Sequence, residues 1–131
     1  MEKRIEVSFS GGKRVDAQIE HMTVPTDQSI ENGGAGTAPE PFQLFLASIA
    51  TCAGIYALEF CLARKIPTAG MGLILNCEMD EKGLVCKRLN IDLNLPAAFP
   101  EQYKRAVVRV MDLCSVKKQI LNPPEFIIRA S

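Results

Sequence analysis

Apolar and polar residues alternate at the start of this chain. Ile5, Val7 and Phe9 stand between polar neighbours, and Val15, Ala17 and Ile19 repeat the pattern. That is the period of strands with one covered face. It predicts strands over 3–10 and 13–24, with a tight turn at Gly11-Gly12 and a third short strand around 21–25. From residue 41 the period changes. Phe45, Ile49, Cys52, Tyr56 and Phe60 recur at spacings of three and four and share one helical face. Leu44, Ser48, Thr51, Ile55 and Leu58 make a second, mostly uncharged face. The pattern predicts a helix over 41–65, with Pro41 in its first turn, Arg64-Lys65 at its negative end and Pro67 as its stop. A helix apolar nearly all round must be covered on every side. A second copy of the chain supplies that cover most economically, so a homodimer is expected.

Alternation returns over 69–80 (Leu73, Leu75, Cys77) and 84–95 (Leu89, Ile91, Leu93, Leu95), with Asp80-Glu81-Lys82-Gly83 as the turn between. This hairpin is expected to set Cys77 opposite Cys86. Two small buried hydrophobes are the plain reading of that pair, and a redox switch is the sharper one. A second helix is predicted over 100–113, striped by Tyr103, Ala106, Val107, Val110 and Met111. Cys114 continues the stripe, and Ser115 is expected to cap a short helix over 116–121. Asn122-Pro123-Pro124 ends it, and a last edge strand is expected around Phe126 and Ile128. The order β-β-(β)-α-β-β-α-β defines an α+β class in one domain over 1–131, with no internal repeat and no dividing linker. The turn-rich stretch 26–41 reads as a mobile loop near a site. It lacks the Gly-Lys-Ser/Thr of a phosphate loop and the last glycine of a dinucleotide fingerprint.

Charge narrows the function classes. Fifteen basic residues balance fifteen acidic ones, so no positive field for nucleic acid exists and none is expected as a partner. The apolar stretch 42–58 is interrupted by Gln43, Ser48 and Thr51 and falls short of the ~20 residues of a membrane span. The N-terminus lacks the apolar region of a secretory signal, so a reducing cytoplasm, with free thiols, is the expected compartment. Five cysteines occur, an odd number without a C-x-x-C. A disulfide scaffold and a zinc site are therefore not expected, and no metal or cofactor is assigned.

Two segments carry a resemblance. Gly36-Thr37-Ala38-Pro39-Glu40-Pro41-Phe42-Gln43-Leu44, continuing through an Ala-rich helix to Cys52, resembles the central signature of the OsmC/Ohr family. Met111-Asp112-Leu113-Cys114-Ser115-Val116, with a short helix and a Pro-flanked final segment, resembles that family's second cysteine segment. About 60 residues separate the two cysteines, as is usual there, and the element order agrees over nearly the whole chain. The chain looks closer to the branch without a settled role than to the dedicated hydroperoxidases.

The resemblance implies an intertwined α+β homodimer with sites at the subunit interface. It also implies a thiol peroxidase for organic hydroperoxides in oxidative-stress defence, reset by an external dithiol, lipoyl or small-thiol. Cys52 would be the attacking thiolate and Cys114 the resolving thiol. In the family an arginine held by a glutamate favours the thiolate. Arg14 matches the arginine best, and Lys13 is the other register. The glutamate is missing: Gln43, or Phe42 in another register, stands in its place, with Glu40 two or three residues early. A neutral amide can hydrogen-bond an arginine but cannot form the ion pair. The alternative function is therefore a non-catalytic or differently active dimer that binds a small hydrophobic molecule in an apolar pocket. His21, the only histidine, has nothing placing it near Cys52. Cys61 lies nine residues on, half a turn out of phase, and reads as structural.

Overall fold

Gly11 and Gly12 take φ of 123° and 57°, backbone that glycine adopts without strain, and they turn β1 (Glu6–Gly11) back onto β2 (Arg14–Ile19). The computed structural model describes residues 1–131 and resolves them into two compact units, 1–46 and 47–131. In the first unit β1, β2 and β3 (Met22–Thr26) form an antiparallel meander in that order. Pro25 sits opposite Asp16 in β3, and β3 is an edge strand, where the missing N–H is tolerated.

The turn-rich segment after β3 is held by a set of hydrogen bonds. The Asp27 carboxylate is 1% exposed. It accepts the Gln28 N–H at 2.7 Å, the Thr37 N–H at 3.0 Å and the Thr37 hydroxyl at 2.6 Å. Gly34 donates to the Ser29 carbonyl and Gly36 to that of Gln28. A Cβ on Gly34 would lie 2.1 Å from the Gln28 carbonyl oxygen, so only glycine fits.

Helix α1 (Pro41–Ala63) begins in the first unit and continues into the second. Its last turn closes with Lys65 at φ 55° and an Ile66 N–H bond to the Cys61 carbonyl at 2.9 Å, a left-handed stop before Pro67. It has 23 residues and contains an 18-residue window of mean hydropathy 1.8, long and apolar enough by length and composition to cross a membrane, contrary to the span counted from the sequence, because the helix runs on through Glu59 to Ala63. Ala53, Ala57, Phe60 and Cys61 pack instead into the core of the second unit. The inward row is thus offset by one position from the face built on Cys52 and Tyr56, since alanines let the helix approach its neighbours closely.

That core also takes Ile66, Phe99, Val107 and Met111. Phe60 meets Tyr103 edge-on at 5.9 Å, and the Arg64 guanidinium lies 3.7 Å from the Phe60 ring centre. The helix predicted over 100–113 is a 3₁₀ turn, Glu101–Tyr103, joined to α2 (Lys104–Met111). Helix α3 is Ser115–Leu121, and its N-cap is Cys114, not Ser115.

Strands β4 (Gly72–Met79) and β5 (Cys86–Asn94) pair antiparallel. Cys77 stands opposite Leu89, not Cys86, yet Cys77 and Cys86 are joined as a disulfide with Cα atoms 5.9 Å apart. The expectation of free thiols throughout is corrected here. The reason is a register shift after Glu78 that sets Met79 against Cys86. The last expected strand does not form: residues 123–131 pair with nothing, and Phe126 and Ile128 are exposed. Pro123 and Pro124 carry no N–H to donate.

Candidate active site

Within the second unit, Cys52 of α1 meets the start of α3. Its sulfur lies 3.6 Å from the Ser115 hydroxyl oxygen. Burial pushes the Cys52 thiol up, but four hydrogen bonds outweigh it. They come from the Cys114 thiol, the Val116 N–H, the Ser115 hydroxyl and the Ser115 N–H, and they bring the pKa from 9.0 to about 7. A helix start presents free N–H groups and partial positive charge, so an anion is favoured there. The arrangement favours the thiolate form of Cys52 relative to an ordinary thiol.

Cys114 is shifted the other way. It is 2% exposed, and burial raises its pKa, as do the hydrogen bond it gives to Cys52 and the charge of the Cys52 thiolate. The Lys117 and Val116 N–H groups oppose this without cancelling it. The pair therefore divides its protons unequally: Cys52 loses its own first, and Cys114 keeps one and donates it.

Cys114 also lines a cavity of about 500 Å³. Ile49 and Ala53 of α1, Leu89, Ile91 and Leu93 of β5, and Met111 of α2 give it apolar walls. Arg109, Asp112 and Lys117 add charge at its edge, and Lys117 pairs with Asp112. The third free cysteine, Cys61, is fully buried in the core, and burial raises its pKa.

The other sequence-derived candidates belong to the first unit. Arg14 donates to the Thr37 hydroxyl at 3.0 Å and lies 3.7 Å from the Asp16 carboxylate. Through Thr37 it is linked to the buried Asp27. The Asp27 pKa is lowered to about 2, first by the hydrogen bond from the Thr37 hydroxyl and then by backbone N–H groups. Lys13 donates to the Asn32 carbonyl at 2.9 Å. The Gln43 amide oxygen accepts the Glu40 N–H at 3.0 Å, reaching back over the helix start as the third residue of a capping box does. Glu40 itself accepts from the Asn32 amide at 2.7 Å. Phe42 stacks near Phe45, ring centres 5.7 Å apart. His21 is exposed in the β2–β3 turn.

Sequence reasoning pairs Cys52 with Cys114 and misses what acts on them. Ser115 and the Val116 N–H touch Cys52. The available signal is the Cys-Ser pair opening a helix, a pattern that suggests a cap for backbone and not a donor set for a distant thiol.

The fold is that of a known class. The family model described as "OsmC-like protein" matches residues 33–129, and the chain belongs to that family. Solved structures share the fold. A candidate osmotic stress induced and detoxification response protein from Psychrobacter arcticus 273-4 is 19% identical over 91% of this chain and 88% of its own, with a TM-score of 0.77. An OsmC-like protein from Mycoplasma pneumoniae is 12% identical over 92% and 88%, with a TM-score of 0.72. An organic hydroperoxide resistance protein OsmC from Legionella pneumophila is 17% identical over 92% and 89%, with a TM-score of 0.60. Among curated proteins none matches.

Proposed function

We propose that this protein is a thiol-dependent peroxidase that reduces organic hydroperoxides through Cys52 and Cys114, working as a cytoplasmic homodimer in oxidative-stress defence. The observation that carries the reading is geometric: the Cys52 sulfur lies 3.6 Å from the Ser115 hydroxyl, beside the helix start that Cys114 caps. Fold relatives named for hydroperoxide resistance support it.

In this reading the Cys52 thiolate attacks the outer oxygen of the hydroperoxide. The O–O bond breaks, the alkoxide takes a proton and leaves as an alcohol, and Cys52 is left as a sulfenic acid. The Cys114 sulfur then attacks Cys52, and the sulfenic hydroxyl departs as water with the Cys114 proton. An external dithiol, lipoyl or small-thiol, reduces the resulting disulfide by exchange. Arg14 serves as the cation for the thiolate, and Gln43 is its hydrogen-bonding support in place of the family glutamate. The family resemblance supplies both of these roles.

Purified protein is to be offered cumene hydroperoxide with excess dithiol. Cys52→Ser is expected to lose turnover by more than about a hundredfold. Without dithiol, Cys114→Ser is expected to consume one equivalent and stop as the sulfenic acid, which an added thiol would reduce. Equal consumption by wild type and Cys52→Ser overturns the reading. The apolar cavity favours one second reading, a dimer that binds a small hydrophobic molecule without turnover. An ordinary thiol pKa at Cys52 with no peroxide consumption selects it.

A further inference from the structure

We propose that Cys77 and Cys86 form a second dithiol–disulfide couple, separate from Cys52 and Cys114. It opens and closes by exchange with small-molecule thiols and disulfides, and when closed it clamps the turn end of the β4–β5 hairpin that walls the cavity.

The local chain is built to bring these two sulfurs together. On β4, Leu73, Leu75 and Cys77 are half-buried and alternate with exposed residues. On β5, Leu89, Ile91 and Leu93 do the same. Continued alternation would turn Cys86 to the opposite face from Leu89, because they lie three positions apart, an odd number. Lys87 and Arg88 are instead both exposed and Cys86 is half-buried again. The register shift between Glu78 and Met79 accounts for this. An extra residue in one strand reverses the facing of the residues beyond it, so Cys86 arrives on the same side as Cys77.

The turn holds the approach. Asp80 accepts the Leu84 N–H at 2.8 Å and the Val85 N–H at 3.2 Å, and its own N–H bonds the Val85 carbonyl at 2.8 Å. Gly83 closes the turn with φ 67°. These hydrogen bonds bring Cys86 back to β4 independently of its sulfur, and the Cα atoms stand 5.9 Å apart in the joined pair, inside the range a disulfide spans. A preset approach of two thiols favours reversible closure, since little chain has to be ordered for it.

The position gives the couple a consequence. Cys77 stands directly opposite Leu89, and Leu89, Ile91 and Leu93 form the β5 wall of the cavity that Cys114 also lines. A two-stranded ribbon is weak by itself, and a cross-strand bond at its turn end holds both strands in register.

Closure balances without metal or oxygen. The Cys77 thiolate attacks a small-molecule disulfide RSSR, forming a Cys77–SR mixed disulfide and releasing RS⁻. Cys86 then attacks the Cys77 sulfur and releases the second RS⁻. Two protein thiols are oxidised, one RSSR is reduced to two RSH, and the protons pass to the thiols released. A dithiol runs it backwards.

The test uses the full chain carrying Cys52→Ser and Cys114→Ser, so only this couple and the buried Cys61 remain. It is equilibrated in mixtures of reduced and oxidised glutathione, trapped with an alkylating reagent, and the 72–94 segment is weighed by mass spectrometry. The expected result is a single transition from doubly alkylated to unmodified, disulfide-closed segment. Amide exchange in β4 and β5 should slow on the order of tenfold with closure, and should not respond to glutathione ratio in a chain that also carries Cys86→Ser. Four results would overturn the proposal. They are two alkylated cysteines at every ratio, a segment closed at every ratio, retained glutathione adducts, and exchange rates equal in both states.

Discussion

Ser115 is the residue through which the reactivity of Cys52 can be measured. Its hydroxyl is 3.6 Å from the sulfur and is one of the donors that hold the thiolate. Thiolate, not thiol, is alkylated, so the rate should rise as pH climbs through about 7 and level off above it. Ser115→Ala removes one donor of several. The midpoint of the alkylation profile with iodoacetamide is expected to move to higher pH by roughly half a unit, with the fold unchanged by circular dichroism. Cys61, whose thiol burial pushes up, should remain slow through the same range. Cys52 and Cys114 are singled out in the sequence because each continues an apolar helical row and lies in a family-like segment. The donors are not, since hydrogen bonds from a helix start to a residue 63 positions away leave no periodic trace.

At the scale of elements, the loop after β3 shows what pattern reading can and cannot reach. Its glycines and prolines mark a turn-rich segment, but they do not say whether it is mobile. The answer lies in Asp27, whose two oxygens gather three donors. Gly34→Ala places a methyl against the Gln28 carbonyl. A loss of about 2 kcal/mol or more in unfolding free energy is expected in a denaturant titration. The five strands of the meander and hairpin are readable because alternation is a direct record of a covered face. The bulge near Lys87 is not, because one extra residue shifts register while leaving composition untouched. The final strand misleads for a related reason. Phe126, Ile127 and Ile128 have the composition of a strand, but a strand exists only where another offers it a ladder.

For the whole molecule, exposed apolar side chains stand in both units. Phe9 is 83% exposed in the first, and Leu62 and Ile128 are 64% and 91% exposed in the second. Such surface is more than scattered single residues account for, and a second copy of the chain is the cover we propose. Sedimentation equilibrium is expected to give twice the 14.4 kDa chain mass, and a monomer at every micromolar concentration would remove the dimer from the proposed function. The α+β class and the family are within reach of the sequence, since element order and two cysteine segments survive where overall identity is low. The start of α3 has one more consequence. Its first N–H groups face the sulfur of Cys52 in another helix, and their partner is its negative charge when Cys52 is a thiolate. Any chemistry that consumes that charge, whether productive turnover or a dead-end adduct, leaves them facing a neutral atom. The backbone at Ser115 and Val116 is thus a built-in witness to the state of Cys52, readable from amide signals without touching the thiol.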